Sequence, residues 1–307
     1  MDHDAALHRP CGRRSVLRSC LVLAPWCAPA RLLAANAELR ILTQPPHDAS
    51  HPIVEALRRR FPSALVSDDA RAQAAPGRSV VHLAVGPVAL QAALEAELAG
   101  PLVSAFVSSQ AYQRMAATVE PRRGRQVTAV FAEVAPAAQM QLIRQLYRRR
   151  VTVGVLLSPS TRALQPLIER AAKAADLGVA FEMVEPGANP VRSLAALGAA
   201  SVLLTVPDPE LYNPQVTRAV LESTYRRRQG VIGFSRAMVA VGTLAAAYTT
   251  IDDVVAQLDT MVEALAAGQT VEPQYPLYWR VAVNDSVARS LDVIVDASVR
   301  GLGHFPG

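Results

Sequence analysis

Residues 201–235, SVLLTVPDPELYNPQVTRAVLESTYRRRQGVIGFS, run strand, turn, helix and strand without a break. SVLLTV is apolar and β-branched, so it reads as a buried strand, and Pro207-Asp208 ends it. The helix VTRAVLESTYRRR opens behind Tyr212 and Asn213, and GVIGFS follows as the next strand. Two strands joined through a helix run parallel. Polar side chains at the carboxyl ends of such strands lie where open α/β sheets bind ligands. The stretch therefore reads as a βα repeat with a binding cleft at its rim. No nucleophile and base, metal-ligand cluster or phosphate loop accompanies it, so capture of a small molecule fits better than chemistry performed on one.

The same rhythm extends in both directions. From Glu38 onward, short β-branched runs alternate with amphipathic stretches, the pattern of βα units feeding parallel sheets. Strands are expected at 39–43, 65–67, 80–85, 102–107, 127–131, 151–157, 179–184, 202–206, 231–234, 244–248 and 279–283. Eleven strands exceed one comfortable doubly wound sheet, which predicts two lobes. The break falls between Glu133 and Arg150, where the helix PAAQMQLIRQLYRRR separates one βα series from VTVGVLLSP, the first strand of the next. Ser158-Pro159-Ser160-Thr161 reads as a turn that caps the helix beginning near Arg162. IDDVVAQLDTMVEALAAG carries apolar residues at helical spacing, capped by Thr250 and closed by Gly268.

Composition sets bounds on function. The chain has 307 residues, 51% hydrophobic and 19% charged, the profile of a globular protein with a true core. Its formal charge of +5 is concentrated early: without residues 1–37 the balance is 26 basic against 24 acidic residues. No electrostatic footprint for nucleic acid remains, and none is expected as a partner. The runs at 58–60, 148–150 and 226–228 fall at helix C-termini, where cations complement the helix dipole. Cys11, Cys20 and Cys27, the only cysteines, also lie in the opening segment, so the rest of the chain forms neither a disulfide nor a thiolate metal site.

Residues 1–37 read as an export signal. GRRSVLRSCLVLAPWCAPARLLAANA joins a basic start to a short apolar run and a small-residue ending, with Ala35-Asn36-Ala37 as the cleavage site. Arg13 to Arg18 resemble a twin-arginine motif. Arg18, Pro25 and Arg31 interrupt the apolar run, which falls short of the ~20 residues of a spanning helix. A periplasmic location is the expectation. His47 and His51 flank Asp48, but a third convincing ligand is lacking, so no metal and no cofactor is expected.

The motifs VTVGVLLSPST, LLTVPDPELYNPQ, STYRRRQGVIGFS, VGTLAAAYTTIDD and VAVNDSVARSL together resemble the periplasmic substrate-binding proteins of ABC transporters with the type I fold, in the branch for tryptophan and amino-acid-like solutes. The resemblance covers about Val127 to Leu291. It implies an α/β fold of two lobes, each a parallel sheet flanked by helices, joined by a three-strand hinge. Carried onto this chain, lobe one is 38–133 with 244–270, and lobe two is 134–243 with 271–307. It further implies a monomer that encloses a small-molecule ligand between the lobes and delivers it to an ABC permease in the inner membrane. Ligand-binding residues are sought where strands end: Gln44, His47, Gly86, Ser108 and Ser109 in lobe one, and Ser158, Ser160, Asp208, Tyr212, Asn213 and Ser235 in lobe two, with Tyr248 near the hinge. Ser108 and Ser109 suit an anion at a helix N-terminus, and Asp208 suits a ligand ammonium. Two rivals stand beside this reading. One is an exported ligand-sensing subunit for a membrane kinase or cyclase. The other is an enzyme on a Rossmann-like fold, against which stands the absence of GxSxG, GxGxxG and GxxxxGK[ST].

Overall fold

The computed structural model describes residues 38–44, 51–71, 80–118 and 126–306. The leader over residues 1–37 and His47 lie outside the described residues.

Lobe one is built on β1 (Glu38–Leu42), α1 (His51–Arg60), β2 (Leu65–Ser67), β3 (Val80–Val85), α2 (Gly86–Glu95), β4 (Leu102–Val107), α3 (Ser109–Ala116) and β5 (Val127–Phe131). Its five strands lie in the order β2-β1-β3-β4-β5, every neighbouring pair parallel. β3, VVHLAV, sits at the centre and is buried along its whole length, as a strand covered on both faces must be. Its side chains alternate: Val81, Leu83 and Val85 join one cluster, while Ala84 faces another that holds Leu90, Leu94 and Tyr112.

Lobe two contains α4 (Pro136–Tyr147), β6 (Thr152–Leu157), α5 (Gln165–Ala174), β7 (Gly178–Met183), α6 (Pro190–Ser193), β8 (Val202–Leu204), α7 (Pro214–Arg226), β9 (Gly230–Ile232), α8 (Arg236–Ala240) and β10 (Ala245–Tyr248). The chain then returns to lobe one as α9 (Ile251–Ala266), and re-enters lobe two as β11 (Trp279–Val283), α10 (Asp285–Ser290), α11 (Ala297–Arg300) and β12 (Gly303–His304). The second sheet runs β12-β11-β10-β9-β8-β6-β7. Its five strands from β6 to β10 are parallel and repeat the strand order of lobe one.

Three features differ from the sequence reading. First, the second sheet is not wholly parallel: β11 and β12 pair antiparallel at its edge, because β11 arrives over a crossover from the other lobe and not through a helix on its own. Second, the segment 244–248 belongs to lobe two, where Leu244, Ala245 and Ala247 pack in the core beside Ile232, and β10 pairs with both β9 and β11. Third, residues 271–274 stay with lobe one. Phe131 N–H donates to Gln274 O at 3.0 Å and Gln274 N–H to Ala129 O at 2.9 Å, so Gln274 covers the otherwise open edge of β5. α9 packs on lobe one, with Val254, Leu258 and Met261 buried against Ile41, Leu57 and Leu83.

Three crossovers therefore join the lobes: β5 to α4, β10 to α9, and Gln274 to β11. Asp253 ties two of them together. Its carboxylate accepts from Thr250 N–H at 3.0 Å, completing a capping box, and from the Arg280 guanidinium at 2.7 Å. The Arg280 guanidinium also lies 5.3 Å from the centre of the Phe305 ring.

Candidate functional site

Each sheet reverses its winding at one point, between β1 and β3 in lobe one and between β6 and β8 in lobe two. Crevices form at such points, outside the carboxyl ends of the strands. In lobe one, Gln44 and Gly86 meet there. Gly86 begins α2 with φ of 83°, and a Cβ on it would stand 2.9 Å from Gln44 Nε2. Glycine is needed both for the left-handed backbone and for the close approach of that amide.

In lobe two the same position holds a closed polar network. Asp208 Oδ2 accepts from the Ser158 hydroxyl at 2.6 Å and the Thr161 hydroxyl at 2.9 Å, while Oδ1 accepts from the N–H groups of Glu210 at 3.0 Å and Leu211 at 3.3 Å. Ser160 adds its N–H and hydroxyl to the Ser158 oxygen. Thr161 thus spends its hydroxyl on Asp208, and the 3-10 turn Arg162–Leu164 behind it carries no side-chain cap. All of this carboxylate's partners come from the protein's own turns.

Between the two sets of strand ends lies a small cavity of about 30 Å³. Gln110, Glu133 and Tyr275 line it from lobe one, and Thr205, Pro207 and Phe234 from lobe two. Val134, Leu164, Ile168, Leu204 and Val206 make the rest of the wall largely aliphatic. Two side chains here are polar, buried and incompletely bonded. Gln110 is 4% exposed, and neither its amide oxygen nor its amide nitrogen has a partner. Glu133 is 8% exposed, with Oε1 accepting from Ser109 N–H at 3.0 Å and Ser109 Oγ at 2.6 Å, while Oε2 has no partner. Burial pushes the Glu133 carboxyl above its ordinary range, and the two bonds from Ser109 pull against that. Tyr275, whose hydroxyl donates to Ser109 Oγ at 3.4 Å, is also raised by burial.

The remaining residues sought at strand ends divide by role. Ser108, Asn213 and Ser235 are the N-caps of α3, α7 and α8, accepting from Ala111, Val216 and Met238 N–H. Ser109 is engaged by Glu133. Tyr212 is buried against Phe234, with ring centres 6.4 Å apart, and burial followed by the charge of Asp208 raises its hydroxyl well above the usual tyrosine value. It also lines a recess of about 620 Å³ between α7 and α8, which is walled by Thr217, Arg218, Glu222, Met238 and Val241 rather than by strand ends. Tyr248 ends β10, half-buried, at the second crossover.

Gln110 and Glu133 were not foreseen, although each is next to or near a residue that was. The signal for Glu133 is present in the sequence, since it is the only ionisable residue in QVTAVFAEVAPAAQMQLI, residues 126–143. Among the described residues, no group of three or more His, Cys, Asp or Glu side chains is placed to hold a metal ion, and no helix is long and apolar enough to cross a membrane. The arginine runs meet acidic partners: Arg59 with Asp252, Arg60 with Asp259, Arg148 with Asp296 and Arg228 with Asp292.

No protein-family model and no curated protein sequence matches the chain. Solved structures do. A domain of an ABC system from Streptococcus pneumonia in complex with L-Trp is similar at 17% identity and a TM-score of 0.55, covering 86% of this chain and 97% of that one. A substrate-binding protein with adhesive properties from Clostridium difficile, in its ligand-free, open form, is similar at 14% identity and a TM-score of 0.66, with the same coverages of 86% and 97%. A conserved domain protein from Vibrio cholerae matches at 16% identity and a TM-score of 0.56, again over 86% of this chain and 97% of that one. The chain thus has the two-lobed α/β fold of the type I periplasmic binding proteins, with parallel sheets flanked by helices in both lobes.

Proposed function

We propose that the protein is an exported solute receptor, which captures a small amino-acid-like molecule between its lobes and delivers it to an ABC permease of the inner membrane. The leader over residues 1–37 carries it to the periplasm, and the three crossovers allow the lobes to close on the solute as a population shift between open and closed forms.

The observation that supports this reading best is Gln110. A buried amide with neither atom bonded costs about 1–3 kcal/mol for each unsatisfied group. Such a side chain at the carboxyl ends of the strands is accounted for by a partner that arrives from outside. The binding role offered here rests on Gln110, Glu133 and the aromatic walls Tyr275 and Phe234. Asp208, Ser158 and Ser160 frame the lobe-two rim, and Gln44 with Gly86 frames the rim of lobe one.

The test is a thermal-shift screen of the full chain against amino acids, amines, organic acids, sugars and nucleosides. A ligand at 100 times its dissociation constant stabilises by about 2.7 kcal/mol. Gln110→Leu, of comparable bulk without polar atoms, is expected to raise the melting point of the unliganded protein and to abolish the ligand-induced shift. A ligand whose shift survives in Gln110→Leu binds elsewhere, and the proposal fails.

A further inference from the structure

The N-terminus of α3 is the one place in lobe one where a solute carboxylate was expected, and the protein already fills it. Glu133 Oε1 takes both the N–H and the hydroxyl of Ser109, at 3.0 and 2.6 Å. The helix end that would attract a ligand anion thus holds a carboxyl group of the protein's own, and a solute carboxylate brought to the same spot finds both Ser109 donors already taken. The other carboxylate oxygen, Oε2, is left buried without a partner beside the cavity. Among the described residues no lysine, arginine or histidine lines that cavity to neutralise Glu133.

The surroundings suit one kind of guest. Gln110, also unpartnered, offers an amide oxygen on the same cavity. Tyr275 and Phe234 contribute rings from opposite lobes, and Phe131 supports Tyr275 edge-on, with ring centres 5.0 Å apart. A desolvated carboxylate oxygen, an amide oxygen and aromatic faces are what a protonated amine requires, the first two as hydrogen-bond acceptors and the last as cation–π partners. We propose that the solute carries a cationic nitrogen, a primary ammonium, that seats between Glu133 Oε2 and Gln110 at the closing of the lobes. This rests on the receptor reading above and deepens it. The charge anchor is Glu133 of lobe one, while Asp208 of lobe two is already saturated by its own turn. A carboxylate on the solute, where there is one, points away from α3.

The experiment compares matched pairs by thermal shift on the full chain: ethanolamine with ethylene glycol, L-alanine with propionate, and L-tryptophan with indole-3-propionate. An amine member should stabilise where its partner without nitrogen does not. Glu133→Gln keeps an oxygen to accept from Ser109 while removing the charge. It should therefore fold with an unliganded melting point no lower than the parent, and weaken the amine by roughly 10- to 100-fold. Should that variant not fold, Gln110→Ala carries the same comparison. If propionate, indole-3-propionate or ethylene glycol binds as well as its amine partner, or if Glu133→Gln leaves the amine's affinity unchanged, the ammonium assignment is overturned, and with the first result the amino-acid-like class as well, while capture of a small solute between the lobes stands. If no compound from these pairs or from the wider screen stabilises the protein, both fall.

Discussion

Asp208 and Glu133 are both buried carboxylates at strand ends, and their hydrogen bonds assign them opposite work. Asp208 accepts four bonds from its own neighbourhood and holds the turns after β6 and β8 together. Asp208→Ala strands two hydroxyls and two backbone N–H groups, so it is expected to destabilise the unliganded protein by about 3 kcal/mol, read by urea denaturation. An unchanged denaturation midpoint would show that the network contributes nothing to folding, and would return Asp208 to the ligand. Glu133 keeps one oxygen free, and Gln110 keeps its whole amide free. Gln110 follows directly on Ser109, which the sequence singled out, whereas no residue at the end of β5 was singled out. Phe131 ends β5, the chain bends at Ala132 and Glu133 on its way to α4, and the lone acid of that stretch therefore sits two residues beyond the strand. Which strand-end side chains are spent on capping, as those of Ser108, Asn213 and Ser235 are, depends on backbone N–H groups whose positions the sequence alone does not fix.

At the scale of elements, periodicity and β-branching made the strands legible. β3 is apolar at nearly every position and is buried throughout, and VTVGVLL, read as the first strand of the second series, forms β6, paired on its two sides with β7 and β8. β12 escaped notice because Gly303-His304 has no strand propensity of its own and exists only by pairing with Trp279 and Arg280. The assignment of 244–248 and 271–274 to lobes failed for a different reason. A local pattern specifies that a strand forms, whereas the sheet it joins is decided by which edge is open. The hinge is where these errors meet, and it carries its own prediction. Asp253 is buried, while Arg280 is about one-third exposed and partly screened by water. Asp253→Ala removes the capping box of α9 and the link between two crossovers, and is expected to cost about 1–3 kcal/mol. Hydrogen exchange should quicken at 249–251 and 275–279 in this variant. Exchange confined to the parent's rate would mean that the pair does not restrain the hinge.

For the whole molecule, the repeated strand order is the organising fact. Both lobes wind their first five parallel strands alike, so each presents a crevice at its switch point, and the cavity lies between the strand ends of the two. The receptor role proposed above requires the lobes to move relative to one another. Small-angle X-ray scattering of the full chain, with and without a saturating compound from the thermal-shift screen, measures that motion directly. Closure predicts a smaller radius of gyration with the compound bound, and loss of the change in Gln110→Leu. A radius that stays the same at full occupancy would contradict a receptor that encloses its solute between two hinged lobes.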